Sequence, residues 1–215
     1  MNSSDTLSAV GLEKGVIYEV IITTRSPDGT PNAAPMGIRS SNGRTLTLLP
    51  FKSTQTYRNL LATQVAVANI TDEPQLFYDT ALKEVTPCPG EMFEDAKHVE
   101  APRLAQAEGV IELTVSSIRD EGPERAKVDC NAVYSEVIQL RPKPYCRGRF
   151  AAIEAVIHAT RVKTFLKEGR REEADRLIRS ILTYKVLAER VCPDSSYCKV
   201  IEDVVAKVRG WEQGG

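Results

Sequence analysis

The chain has 215 residues, 42% hydrophobic and 27% charged, and a formal net charge of −1 from 28 basic and 29 acidic side chains. That length and composition suit a soluble globular protein with one large core, or one core and an extension. The balanced charge gives no electrostatic reason to expect nucleic acid or an anionic membrane as partner, and no apolar run approaches the ~18 residues of a membrane helix.

The first nine residues, Met1 to Ala9, lack a signal peptide's charged start and apolar centre, so the expected location is the cytoplasm. Residues 16–25 then read as a strand rich in β-branched and aromatic residues. Ser26-Pro27-Asp28-Gly29 is a turn, because Pro fixes φ and Gly accepts positive φ. A second strand returns over 30–39, Asn42-Gly43 marks a hairpin, and 44–50 makes a third strand. A helix over about 55–63 follows, with Thr54 as its N-cap. Val65 to Ile70 is a fourth strand, and Asp72-Glu73-Pro74 opens a short helix with Asp72 as cap.

Residues 84–105, with Pro87, Pro89 and Pro102, read as irregular. Val110–Arg119 and Lys127–Leu140 complete a set of five or six antiparallel strands. There is no βαβ alternation, so the set suits a small closed barrel. Arg141-Pro142-Lys143-Pro144 breaks this pattern, and everything after it is helical. Ile153, Val156, Ile157 and Thr160 recur at helical spacing, as do Ile201, Val204, Val205 and Val208. Ile153, Ile157, Ile201 and Val205 are therefore expected to be buried. The fold class is α+β: an antiparallel barrel over 1–142 and a three-helix extension over 143–215, packed on the barrel.

Two segments carry chemistry. Asn32-Ala33-Ala34-Pro35-Met36-Gly37 pairs small residues with prolines. It is either a plain edge strand or a surface that leaves room for a flat ring against backbone. Lys52-Ser53-Thr54-Gln55-Thr56 places hydroxyls and an ammonium at a helix start, where unpaired N–H groups and the dipole favour a phosphate. Its plain reading is an ordinary cap. A ring and a phosphate together point to flavin mononucleotide (FMN). No G-x-G-x-x-G follows a strand, so a dinucleotide is not expected.

Other chemistry-bearing residues are sparse. Arg25, Arg39 and Arg58 flank these segments as solvated groups or ligands. Arg147 and Arg149 stand at a helix start, where cations oppose the dipole, so each wants an anion or a carboxylate nearby. The only histidines are His98 and His158, and a multi-histidine metal site is not expected. His158 reads as a packed helix residue, and His98 as a proton donor only if its stretch covers a pocket. The five cysteines, Cys88, Cys130, Cys146, Cys192 and Cys198, have no zinc spacing and read as free thiols. Cys192 and Cys198 bracket a turn and can approach each other.

The Asn32–Met36 strand and the T-x-T-x-x-N-L start at Thr54, Thr56 and Asn59 resemble the flavin reductase-like split barrels. Asn69-Ile70-Thr71-Asp72, Arg141-Pro142-Lys143-Pro144-Tyr145 and Glu154–Arg161 echo one branch of them, the DUF447 family. The resemblance spans roughly residues 14 to 205, with Ser53 where relatives often have glycine. It implies an FMN-binding split barrel whose cofactor is held by Asn32, Ala33, Ala34, Pro35, Met36, Lys52, Ser53, Thr54, Thr56 and Asn59. It also implies a homodimer with flavin near the subunit interface, and electron or hydride transfer to a small-molecule substrate. The alternatives are a non-enzymatic carrier or sensor, and a relative that binds a deazaflavin or haem.

Overall fold

A computed structural model describes residues 7, 10–12, 15, 17–40, 42–82, 90–138 and 147–213. Cys88, Cys146, the Arg141–Tyr145 break and the polar start of the chain, Leu7 apart, lie outside them. The chain divides into two compact units: residues 1–71 with 85–141, and residues 72–84 with 142–215.

The first unit contains β1 (Ile17–Arg25), β2 (Pro31–Ser40), β3 (Thr45–Leu48), helix α1 (Gln55–Thr63), β4 (Val65–Ile70), β5 (Phe93–Asp95), β6 (Pro102–Leu104), β7 (Gly109–Glu121) and β8 (Arg125–Val137). Six of these strands close into an antiparallel barrel in the order β1-β2-β3-β8-β7-β4. Side-chain alternation sends Val20, Ile22, Ile38, Leu46, Leu48, Ile111, Leu113 and Val128 into one core, with Leu60 of α1 joining them. Each such side chain contributes about 1.5–3 kcal/mol by leaving water. The turn between β1 and β2 forms as expected, with Gly29 at φ 91°.

Alternation also points Thr23, Asn69 and Glu112 away from that core, yet all three are buried. The reason is the β5–β6 hairpin, in a stretch whose sequence reads as irregular. The Thr23 hydroxyl donates to the Pro102 carbonyl at 2.5 Å. Asn69 Oδ1 accepts the Leu104 N–H at 2.7 Å. Glu112 accepts the Lys97 and His98 N–H groups at 2.9 and 2.6 Å. Strands of three residues are too short for alternation to register, and Pro102 sits at a strand's first residue, where proline is tolerated. Before β5 a single 3-10 turn spans Gly90–Met92.

The second unit contains α2 (Pro74–Ala81), α3 (Arg147–Lys167), α4 (Arg171–Val191) and α5 (Ser196–Gln213). Sequence reading grouped α2 with the barrel, whereas α2 packs on α3 and α5. Its cap is Glu73, whose carboxylate accepts the Gln75 N–H at 3.4 Å, and not Asp72 as the sequence suggested. Asp72 is engaged elsewhere, in an ion pair with Arg149. Helix α3 is flanked by α2, α4 and α5 and buries Ala152, Ala155, Val156, Ala159 and Val162. Ala174 and Ala188 of α4 are also fully buried, and alanine lets helices approach closely. Of the four positions expected to be buried here, Ile153, Ile201 and Val205 are, but Ile157 is only half-buried. The α3 face is turned by the smaller alanines, which the aliphatic spacing ignored. Gly169, at φ 73°, ends α3 with the Arg170 N–H bonded back to the Phe165 carbonyl at 2.9 Å.

Candidate functional site

The start of α1 meets the turn end of the β1–β2 hairpin. Thr54 is the N-cap, in extended backbone at φ −86° and ψ 155°. Its hydroxyl accepts the Tyr57 N–H at 3.3 Å and donates to the Phe51 carbonyl at 2.7 Å. The cap thus takes up the Tyr57 N–H and leaves those of Gln55 and Thr56 as the first donors of the helix. At the far end Gln64 adopts a left-handed conformation at φ 59°, and its amide donates to the Leu60 and Leu61 carbonyls.

Beneath α1 lies a closed polar network. Thr24 of β1 pairs with Asn32 of β2 in the sheet. The Asn32 amide donates to the Thr24 and Thr56 hydroxyl oxygens at 3.1 and 3.0 Å. The Asn59 amide donates to Thr24 at 3.0 Å. Asn59 Oδ1 accepts from the Ser26 hydroxyl at 3.0 Å and from Gln55 Nε2 at 2.7 Å. Gln55 Nε2 also donates to Ser26 Oγ at 3.1 Å. Thr24, Thr56 and Asn59 are at most 1% exposed. Buried polar groups of this kind stabilise only when all are bonded, which ties helix, strand and turn into one geometry.

The candidate residues therefore divide. Asn32, Thr56 and Asn59 come together in this network, and Thr54 adjoins it as a cap. Ser53 is exposed at the helix start. Lys52 is drawn toward the β7–β8 turn instead, in an ion pair with Asp120 at 2.7 Å and donating to the Gly122 carbonyl at 3.1 Å. Arg58 curls back over the first turn, donating to Gln55 Oε1 at 2.8 Å and to the Ser53 carbonyl at 3.1 Å. On β2, Met36 packs against the barrel core beside Ile38. Ala33, Pro35 and Gly37 consequently line the opposite face of the strand. Side chains of β1 approach this face closely at Gly37, where an added Cβ would sit 3.3 Å from both Glu19 Oε1 and Ile17 Cγ2. Sequence reading missed Thr24, Ser26 and Gln55 as members. Thr24 carries a signal in retrospect, since it is a polar residue on the inward-facing register of an otherwise apolar strand.

Several of the remaining titratable candidates meet structural partners. Arg25 pairs with Asp95 at 2.7 Å. Arg149, almost fully buried, donates to the Asp72 carbonyl at 2.9 Å and pairs with the Asp72 carboxylate, while Arg147 is exposed. The plain carboxylate reading of Arg149 is the one realised. His98 stacks on Tyr134 with ring centroids 4.3 Å apart, its Nδ1 3.6 Å from Glu112. His158 meets the edge of Tyr184, and burial pushes its pKa down, with Glu154 opposing and Arg161 reinforcing the shift. Cys130 lies in the barrel core, where burial and the nearby Asp129 charge push its thiol up to about 12.

Residues 18–139 match the family model described as "Protein of unknown function (DUF447) N-terminal domain". The chain is also similar to an FMN-bound protein of the DUF447 family from Methanosarcina mazei. The two are 26% identical over 94% of this chain and 99% of that one, with a TM-score of 0.75. An FMN-binding protein from Thermus thermophilus with bound p-hydroxybenzaldehyde is 16% identical over 59% of this chain and 76% of its own, with a TM-score of 0.50. A flavin reductase domain protein from Arthrobacter sp. FB24 is 17% identical over 60% of this chain and 91% of its own, also at 0.50. With these last two the chain shares the barrel fold.

Proposed function

Because the chain belongs to the DUF447 family, we propose that its barrel binds FMN and that the protein is a flavoprotein of electron or hydride transfer. The observation that carries the reading is the junction of β2 with α1, joined by the Asn32–Thr56 hydrogen bond at 3.0 Å. It puts the strand that carries Ala33, Pro35 and Gly37 next to a helix start whose Gln55 and Thr56 N–H groups the Thr54 cap leaves as the first donors.

Those residues fit the two parts of the cofactor. Ala33, Pro35 and Gly37 leave β2 flat enough for a planar ring to meet the backbone of Asn32–Met36. The Gln55 and Thr56 N–H groups and the exposed Ser53 hydroxyl supply donors for a phosphate, aided by the helix dipole. Arg58 stands above the same turn and supplies the positive charge. Lys52, held by Asp120, adds a second charge at longer range. Thr54 and Asn59 act by position: one sets the helix start, the other locks α1 to β1 and the Ser26 turn. Bound FMN would supply reversible one- and two-electron chemistry, and the chain supplies binding, orientation and a fixed dipole at the phosphate.

We place the flavin near the interface of a homodimer, where a second copy would enclose the ring on the β2 face. Two measurements test the proposal. Mass spectrometry of ligand released by heat from the purified protein should find FMN, and recovery of FAD or of no flavin after growth with riboflavin counts against it. Oxidation of NADH or NADPH by the loaded protein tests the electron-transfer part separately, and flavin without turnover would favour a carrier or sensor.

A further inference from the structure

The second unit holds a pair of thiols that the flavin reading does not use. Cys192 caps the C-terminus of α4, and Cys198 lies in the first turns of α5. The turn between them, Pro193-Asp194-Ser195, is tight. The Ser195 N–H donates to the Cys192 carbonyl at 3.3 Å, and Asp194 takes a left-handed φ of 58°. This folds the chain back so that the Cys198 thiol donates to the same Cys192 carbonyl at 3.3 Å. Cys192 is half-buried and Cys198 is 7% exposed. On its other side Cys192 Sγ presses on Gly148 of α3, where an added Cβ would lie only 2.1 Å from the sulfur. The back-folded turn thus brings the Cys198 sulfur to the backbone of Cys192, whose own sulfur fits the space left by Gly148.

We propose that Cys192 and Cys198 are a reversible dithiol–disulfide site that clips the end of α4 to the start of α5. The oxidant is a low-molecular-weight disulfide such as oxidised glutathione. The more exposed Cys192, as thiolate, attacks one of its sulfurs, forming a mixed disulfide and releasing one thiolate. Cys198, as thiolate, then attacks the Cys192 sulfur, closing the protein disulfide and releasing the second. Two electrons pass to the small disulfide, and the two protein thiol protons end on the two small thiols. The order follows from access, because the buried Cys198 meets the mixed disulfide before it meets solvent.

The test reads the pair in isolation. Trypsin cuts after Arg190 and Lys199, so residues 191–199 leave as one peptide containing both cysteines and no other. Native protein is equilibrated in glutathione buffers of graded redox ratio, quenched by alkylation, digested and weighed. The expected product at the oxidised end is a peptide that has lost two hydrogens and carries neither alkyl group nor glutathione. Cys198→Ser should stop at a glutathione adduct on Cys192. Cys192→Ser should leave Cys198 free of adduct while the protein is folded. A native peptide that stays doubly alkylated at every ratio, or that accumulates glutathione adducts on the wild type, overturns the proposal.

Discussion

Thr54 and Thr56 are two residues apart and do different work. The Thr54 hydroxyl is spent on the helix, accepting from Tyr57 and donating to Phe51. Thr54→Ala should therefore cost about 1 kcal/mol of stability in the ligand-free protein, and Thr54→Ser almost nothing, as read by urea denaturation. An unchanged midpoint for the alanine variant would mean that the cap is not made in solution. Asn59 is more consequential, because its amide serves Thr24, Ser26 and Gln55 together. Asn59→Ala leaves the buried Thr24 and the half-buried Ser26 and Gln55 short of hydrogen bonds, at about 1–3 kcal/mol. A double-mutant cycle with Ser26→Ala should show coupling, and strictly additive losses would contradict the network.

At the scale of elements, the β5–β6 hairpin is pinned to the barrel by outward-facing polar side chains. Glu112 holds two successive N–H groups, those of Lys97 and His98. Glu112→Gln exchanges one acceptor oxygen for a donor, so one of the two loses its partner. Hydrogen exchange at Lys97 and His98 should speed up while the β1–β4 core stays protected, and uniform protection across the variant would refute the pin. In the helical unit, Val156→Asp should destabilise by about 3–5 kcal/mol, since a buried unpaired charge adds to lost apolar burial. Ile157→Asp should cost clearly less, because Ile157 is only partly buried. Equal costs in thermal melts would contradict that assignment of the α3 faces.

For the whole molecule, the barrel strands, α1 with its cap, and the three C-terminal helices were legible in sequence, because alternation, Asn-Gly and Pro-Asp-Gly turns and a threonine cap are local signals. The β5–β6 hairpin was not, since its strands are held by Thr23, Asn69 and Glu112, which are distant in sequence. Nor was the membership of α2, which a tertiary contact decides: Arg149 takes Asp72 away from the cap and gives that role to Glu73. The candidate site was legible as two segments, β2 and the α1 start. What the sequence could not divide was the labour within them. Thr54 and Asn59 became supports, Lys52 turned to Asp120, and Ser26 and Gln55 joined from positions read only as turn and helix.

The most direct test of FMN binding at the β2–α1 junction is parallel titration of FMN and riboflavin into ligand-free protein, followed by flavin fluorescence. The two ligands differ only in the phosphate. Charge-assisted hydrogen bonds are worth about 1.5–3 kcal/mol each, and ~1.4 kcal/mol is already tenfold in affinity. FMN should therefore bind at least tenfold more tightly than riboflavin. A Ser53→Ala/Arg58→Ala double variant, which removes the side-chain donor and the positive charge at the helix start, should weaken FMN by tenfold or more and leave riboflavin nearly unchanged. If FMN and riboflavin bind wild type equally, or the double variant weakens both alike, the start of α1 does not read a phosphate and is only a cap.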